Sequence, residues 1–188
     1  MTDDDKELDR IAAAAARRAD GDGRPPRVQH DMGHYGISID AAGLWHHGGT
    51  PFPRVALAKL FATVLKRDEA GDYWLETPVE RGRVDVADAP FVAVAMEVEG
   101  ADHNRVIRFR DTLDQVTTLD AAHPLRVAFD PETAEPRPYV LVRDRLEALL
   151  ARTVYYELAE LAEEAPTKGR MVVWSAGAAH DLGPMEEA

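Results

Sequence analysis

This sequence predicts an α+β fold of two tandem units, each repeating strands, helix and strand and packing one long helix on a mostly antiparallel sheet. Three observations carry the prediction. Apolar and polar residues alternate in short runs, as in half-buried strands. Hairpin-length turns join those runs, where a parallel sheet needs a crossover between strand pairs. Lastly, Arg54-x-x-Leu57-x-x-Leu60-Phe61 is echoed by Arg143-x-x-Leu146-x-x-Leu149-Leu150, with Trp74 and Trp174 in the strand after each. That echo points to an internal duplication of one supersecondary unit.

Taken in order, residues 6–19 form an alanine-rich helical pattern whose only large apolar side chains are Leu8 and Ile11. So little apolar area predicts a helix that docks loosely or frays. Residues 20–26 carry Gly, Asp and Pro and read as a linker. The expected organisation is a flexible helix and linker over 1–27, a first α+β unit over 28–100 and a second over 101–188. In the first unit, ISID (37–40) alternates as a strand, Gly43 supplies a turn and LWHH (44–47) returns as its partner. Thr50 then reads as an N-cap with Pro51 as first helical residue. Leu57, Leu60, Phe61 and Val64 fall at i, i+3, i+4 and i+7, so a helix is expected to about Arg67. YWLET (73–77), VDV (84–86) and Phe91 to Val98 read as strands. NRVIRFR (104–110) should pair back on the last of these, with Ile107 and Phe109 on one face and Arg108 and Arg110 on the other.

The second unit repeats the order. QVTT (115–118), LRVAF (125–129) and YVLV (139–142) read as strands. From Asp144 a second long helix is expected, its core stripe being Leu146, Leu149, Leu150, Val154, Leu158 and Leu161. MVVWS (171–175) reads as a closing strand.

Composition narrows the function. The chain has 188 residues, 45% of them hydrophobic, enough for a real core. It has no cysteine, which rules out disulfides, thiolate metal sites and a thiol nucleophile and fits a reducing cytoplasm. No apolar run is long enough to span a bilayer, and the acidic start MTDDDK is unlike a secretory leader. A soluble, cytoplasmic protein is expected, with no membrane partner. With 34 acidic against 22 basic residues the formal net charge is -12. Such a field opposes bulk nucleic-acid binding, which requires many phosphates to be neutralised at once. A single small anion remains admissible, because a few arginines in one cleft outweigh distant charge once salt screens it over roughly 8–10 Å.

The candidate chemistry gathers where the expected helices begin. A helix N-terminus carries about half a positive charge, so arginine there is unfavourable unless an anion lies beside it. Arg54 is expected in the first turn of one helix, and Arg143 and Arg145 flank Asp144 at the start of the other. Guanidinium groups beside free backbone N–H groups are the parts of a phosphate or carboxylate pocket. The plainer reading ties each arginine to a local acid such as Asp144, Glu147 or Glu157. Trp45 and His47 share a strand face, and with Trp74, Tyr139, Tyr155 and Tyr156 they could form a stacking wall for a flat ring, although core packing is the commoner fate of a Trp or Tyr. TPVERGR (77–83) sets Thr77, Glu80, Arg81 and Arg83 around a glycine at a strand end, where polar side chains could converge on a ligand; its plainer reading is a solvated turn. His30 and His34 lack a third metal ligand nearby, and neither Ser38 nor Ser175 sits in a nucleophile-elbow setting. No catalytic residue, metal ligand or cofactor is assigned.

The blocks GLWHHGGTPFPR (43–54), TPVE (77–80), APFVA (89–93), AHPLR (122–126) and PYVLVR (138–143) together resemble the bacterial family called domain of unknown function twelve-eighty-five. The likeness covers roughly 28–161. It implies a duplicated protein whose second half is superficially like pleckstrin-homology domains, a nucleotide-like ligand held between the halves, and a role in signalling; it implies no catalytic residues. HDMGHYG (30–36) and Phe52-Pro53 depart from the family pattern. The leading expectation is therefore a cytoplasmic sensor for a small anionic aromatic ligand, a nucleotide or its like. The alternatives are a module that binds a basic protein partner through an acidic surface and, third, an enzyme of unspecified reaction.

Overall fold

A computed structural model of the chain describes residues 3–16, 30–165 and 169–184. The expected linker over 20–26 lies outside the described residues. The chain forms two compact units, Met1–Pro90 and Phe91–Ala188.

The first unit runs α1 (Asp3–Ala16), β1 (His30–Ile39), β2 (Trp45–His47), β3 (Thr50–Pro51), α2 (Val55–Ala62), β4 (Leu65–Arg67), β5 (Tyr73–Glu76) and β6 (Glu80–Val86). Its six strands lie in the order β3-β2-β1-β6-β5-β4, with β1 and β6 parallel and every other pair antiparallel. The β1–β2 hairpin turns where the sequence places it. Asp40 Oδ1 accepts the N–H groups of Ala42 and Leu44 at 2.9 and 3.0 Å, and Gly43 takes the positive φ of 77° the turn requires. Tyr35, Ile37, Ile39, Trp45, Phe61, Leu65, Leu75 and Val84 are buried. Helix α1 lies against α2 and buries Leu8, Ile11 and Ala15, which ties it to the unit more firmly than its alanine content suggests. Full burial of a side chain such as Ile11 contributes about 1.5–3 kcal/mol.

The first helix is shorter than its apolar spacing suggests. Thr50 and Pro51 form an edge strand, Arg54 takes the N-cap position with extended backbone, and α2 ends at Ala62. Thr63 and Val64 close the helix with N–H bonds to the carbonyls three residues back, Leu60 and Phe61, while the Thr63 hydroxyl donates to Leu60 O at 2.7 Å. These tightened turns and two β-branched residues release the chain into β4.

The second unit runs β7 (Phe91–Glu99), a 3-10 turn (Asp102–Asn104), β8 (Val106–Asp111), β9 (Val116–Thr118), β10 (Leu125–Phe129), β11 (Pro136–Arg143), β12 (Leu146–Leu150), α3 (Arg152–Ala159), β13 (Glu163–Glu164), β14 (Arg170–Ser175) and β15 (Ala178–Pro184). β7 and β8 pair antiparallel, with Ile107 and Phe109 inward, in the arrangement the alternation predicts. β7 belongs to the second sheet, so the second unit opens at Phe91.

The long helix expected from Asp144 does not form. Arg143 and Leu146 are register partners, Asp144 and Arg145 make the two-residue turn of a hairpin, and Asp144 adopts φ 47°, which aspartate tolerates better than most residues. Leu146, Ala148 and Leu150 then point inward while Glu147 and Leu149 alternate outward, so the leucines follow period two and only Arg152–Ala159 is helical. The second sheet has the order β10-β11-β12-β7-β8-β9, with β7 and β12 parallel. Counted from the start of each unit, both sheets are thus two three-strand meanders joined by a parallel pairing of first and last strands. The fold is α+β with mostly antiparallel sheets, but it is the sheet that recurs and not a strand-helix-strand unit with one long helix. A small third sheet, β13-β14-β15, is tied to the second through Ser175, whose hydroxyl donates to Leu119 O at 2.6 Å and accepts the Ile107 N–H at 2.9 Å.

Among the described residues no helix is long and apolar enough to cross a membrane.

Candidate functional site

Strand alternation decides which of the candidate residues meet. β6 reads Glu-Arg-Gly-Arg-Val-Asp-Val, with Glu80, Gly82 and Val84 buried and Arg81, Arg83 and Asp85 exposed. TPVERGR therefore does not gather its polar groups around a glycine; it sends Glu80 to one face and the two arginines to the other. Trp74 on β5 is the register partner of Arg83, and Glu76 that of Arg81. This pairing sets the Arg81 guanidinium 4.6 Å and the Arg83 guanidinium 5.6 Å from the centre of the Trp74 ring system. At exposed sites such contacts contribute about 0.5–1 kcal/mol each.

Local carboxylates hold the cluster in place. Arg81 binds Asp31 on the neighbouring parallel strand at 3.1 Å, and Arg83 binds Asp72. The Trp74 indole N–H donates to Asp68 Oδ2 at 2.8 Å. That bond, opposed by desolvation and joined by backbone N–H groups, holds the Asp68 carboxyl below its ordinary range. For Asp31 the leading influence is the Gly33 N–H, with Arg81 adding to it, and again the carboxyl is lowered. Beside the cluster, Arg67 lies 5.3 Å from the Tyr73 ring centre. At rest Arg81 and Arg83 are thus paired with carboxylates on a strand and not part of a solvated turn, yet both ion pairs are largely exposed and such pairs contribute only about 0–1 kcal/mol. An incoming phosphate could replace them at little expense.

On the inner face, Thr77 locks the turn into β6. Its hydroxyl donates to Glu80 O at 3.0 Å and accepts the Glu80 N–H at 3.2 Å. Glu80 is buried and accepts a hydrogen bond from Arg10 of α1 at 2.6 Å. The Arg10 contact has no signature in the sequence, since the two residues are seventy positions apart.

The remaining candidates have different local surroundings. Trp45 is a core residue, packed 5.8 Å from Phe52 and 6.4 Å from Phe61 between ring centres, so it offers no stacking wall. His47 is half-buried over Gly36. Arg54 is exposed ahead of α2 and, among the described residues, makes no side-chain capping bond. In the second unit Tyr139 is buried under the Arg126 guanidinium, 4.3 Å away, which Glu147 holds through two bonds of 2.9 and 2.8 Å. Arg143 ends β11 and Arg145 lies in the hairpin turn that follows, not at a helix start, which removes the electrostatic premise for placing an anion there.

Arg143 instead joins a polar cluster the sequence reading missed. Its guanidinium stacks 5.3 Å from the Phe91 ring and donates to Gln115 Oε1 at 3.1 Å, while Gln115 Nε2 donates to Asp111 Oδ2 at 3.2 Å. Asp111 is buried, and desolvation raises its carboxyl above the ordinary range despite the Leu113 and Gln115 N–H groups it accepts. A signal for it existed, because the inward alternation of Ile107 and Phe109 continues to Asp111. Among the described residues no three His, Asp or Glu side chains come together as a metal site.

Residues 26–89 match the family model described as domain of unknown function (DUF1285), N-terminal domain, and residues 90–182 match protein of unknown function (DUF1285), C-terminal domain. The boundary between the two matches coincides with the start of the second sheet. The chain is similar to the crystal structure of a DUF1285 family protein from Silicibacter pomeroyi DSS-3, at 36% identity over 94% of this chain and 96% of that one, with a TM-score of 0.79. A DUF1285 family protein from Shewanella baltica OS155 is similar at 27% identity over 66% of this chain and 91% of that one, with a TM-score of 0.54. No functionally curated protein matches. By sequence and by structure, this chain belongs to the DUF1285 family.

Proposed function

We propose that the protein is a cytoplasmic ligand-binding sensor in signal transduction, and that it takes a flat, anionic compound of the nucleotide kind on the Trp74–Arg81–Arg83 face. One observation carries this reading: two guanidinium groups lie within 5.6 Å of the centre of a half-buried indole, each paired with a largely exposed carboxylate. A base can stack on the indole, a contact that contributes about 1–3 kcal/mol. A phosphate can take the charge-assisted bonds that Arg81 and Arg83 now give to Asp31 and Asp72. The pleckstrin-homology-like character suggested for the second unit draws support from its six-strand sheet followed by a helix.

Titration with adenosine and guanosine monophosphates and diphosphates, followed by tryptophan fluorescence and thermal shift, tests the proposal. Saturable binding should appear; at a hundred dissociation constants linkage predicts a stabilisation of about 2.7 kcal/mol. Trp74→Phe should remove the fluorescence response, and Arg81→Gln with Arg83→Gln should weaken affinity at least about tenfold. A flat response across all these nucleotides would remove the reading, and capture of a defined basic protein by the same preparation would favour the interaction module.

A further inference from the structure

The small third sheet forms no ladder with the second; its β14–β15 hairpin is fastened at the tip instead. The Ser175 hydroxyl donates to Leu119 O and accepts the Ile107 N–H, and the Ala176 N–H donates to Arg105 O at 2.8 Å. Parting these bonds leaves the ladders of both sheets whole, which makes the hairpin a unit able to open by itself. One residue at the fastening is suited to only one charge state. His180 on β15 is 5% exposed and hydrogen-bonded to the Ser175 backbone, and its Nε2 is buried with no partner among the described residues. Its register partner on β14 is the apolar Val173. Arg126 of β10 is turned to Tyr139 and Glu147, and Asp181, next to His180 on β15, is turned to Arg170. The connection before β10 presents Asp120, already engaged by its own turn and by His123 at 2.9 Å. A neutral imidazole fits this place, whereas an imidazolium would lie desolvated beside a carboxylate committed elsewhere.

We infer that His180 makes the third sheet an acid-released latch, closed on the second sheet while the imidazole is neutral and let go on protonation, which uncovers the edge strand β10 against which β15 lies. Opening returns His180 to solvent. Below about pH 6.5 each further unit of pH therefore favours the open form by up to about tenfold, until the closed form binds the proton as well. The other histidine at this sheet has the opposite sign. His103 stacks on Trp174, 4.4 Å between ring centres, and bonds Glu163 at 2.7 Å, a contact that protonation would tighten. Release in acid is thus assigned to His180.

Amide hydrogen exchange of the full chain, resolved by NMR from pH 8 to pH 5 and corrected for the intrinsic rate, decides the matter. The Ile107 and Ala176 amides are bonded across the latch and should lose at least about fivefold in protection at pH 5. Amides inside the β7–β8 and β14–β15 ladders should keep theirs, because the hairpin moves as a unit. His180→Asn should flatten the loss. Asp120→Asn removes the carboxylate that favours an imidazolium in the closed form and should deepen the loss, which keeps the test sound if His180→Asn does not fold. Constant protection at the two amides, an equal loss within the ladders, a loss that survives His180→Asn, or a loss flattened by Asp120→Asn would each overturn the inference.

Discussion

The two units solve one topological problem with different helices. Each sheet is a pair of three-strand meanders sealed by a parallel pairing of its first and last strands. In the first unit α2 fills the connection between the third and fourth strands, whereas in the second that connection is a short turn and α3 follows the sixth strand. The seams are related too. Tyr35 on the first strand lies over Gly82 on the last, and in the second unit Phe91 on the first strand is the register partner of Ala148 on the last. The sheet and an aromatic-over-small seam are what the units share; helix placement is free to differ, because a helix need only cover whichever apolar face the meanders leave open.

The largest expected effect tests that distinction at the segment where similar motifs diverge. Leu146 is fully buried on β12, whereas Leu149 alternates to the other side and is half-buried. Leu146→Ala should destabilise by about 2–5 kcal/mol, and Leu149→Ala should remain under about 1.5 kcal/mol because little buried surface is removed. Denaturant unfolding measures both. Equal, large losses would indicate a helical stripe and would undo the assignment of β12.

A somewhat smaller effect probes the seam of the first unit. A Cβ built on Gly82 would stand 2.4 Å from Tyr35 Cε2, closer than real side chains approach, and the Tyr35 ring is buried and cannot swing to solvent. Gly82→Ala should therefore lower stability by about 1–3 kcal/mol through overpacking. In a Tyr35→Leu background the same change should matter less, and this non-additivity in a double-mutant cycle is the measurement. Additive losses would mean the ring and the glycine are not in contact.

The contrast also explains how far the sequence could be read. The β1–β2 turn and the β7–β8 hairpin were legible because Asp40, Gly43 and the Ile107–Phe109 alternation act over a few residues. The short α2 and the strand at Leu146–Leu150 were not. Leucines at 146, 149 and 150 fit a helical period as well as a strand's, and the choice is made by the Asp144–Arg145 turn and by pairing with β11 and β7, both tertiary facts. The candidate site was half legible. Trp74, Arg81 and Arg83 do assemble, because β5 and β6 pair in register, while Arg54, Arg143 and Arg145 were drawn in by a helix-start premise that only Arg54 satisfies. Trp45 went to the core, as most tryptophans do. Arg10 was missed because its partner Glu80 is seventy positions away, and the place of Arg143 beside Gln115 and Phe91 because those residues are likewise distant in sequence.

The smallest expected effect separates the units by pH. The histidines of the first unit, His30, His34, His46 and His47, are exposed or half-buried, whereas His180 on β15 of the second is buried and its Nε2 has no partner among the described residues. Burial pushes its pKa below the ordinary 6.5, against weaker opposing influences from Asp120 and the Ser175 backbone. The folded state therefore binds fewer protons than the unfolded state once pH falls below about 6.5, so stability is fully present above that value and is lost as pH falls toward the lowered pKa. Asp111, raised by burial, has the opposite sign: its contribution is present at pH below its unfolded value and fades as pH rises through its folded one. Comparing the unmodified chain with His180→Asn, which keeps a donor for the Ser175 carbonyl and leaves Asp111 unchanged, isolates the histidine. Thermal midpoints measured between pH 8 and pH 5 should fall more steeply on the acid side for the unmodified chain, and His180→Asn should flatten that limb while leaving the pH 8 value nearly in place. Parallel curves for the two proteins would show that His180 titrates alike in the folded and unfolded chains, and the acid sensitivity would then have to be sought outside the second unit's core.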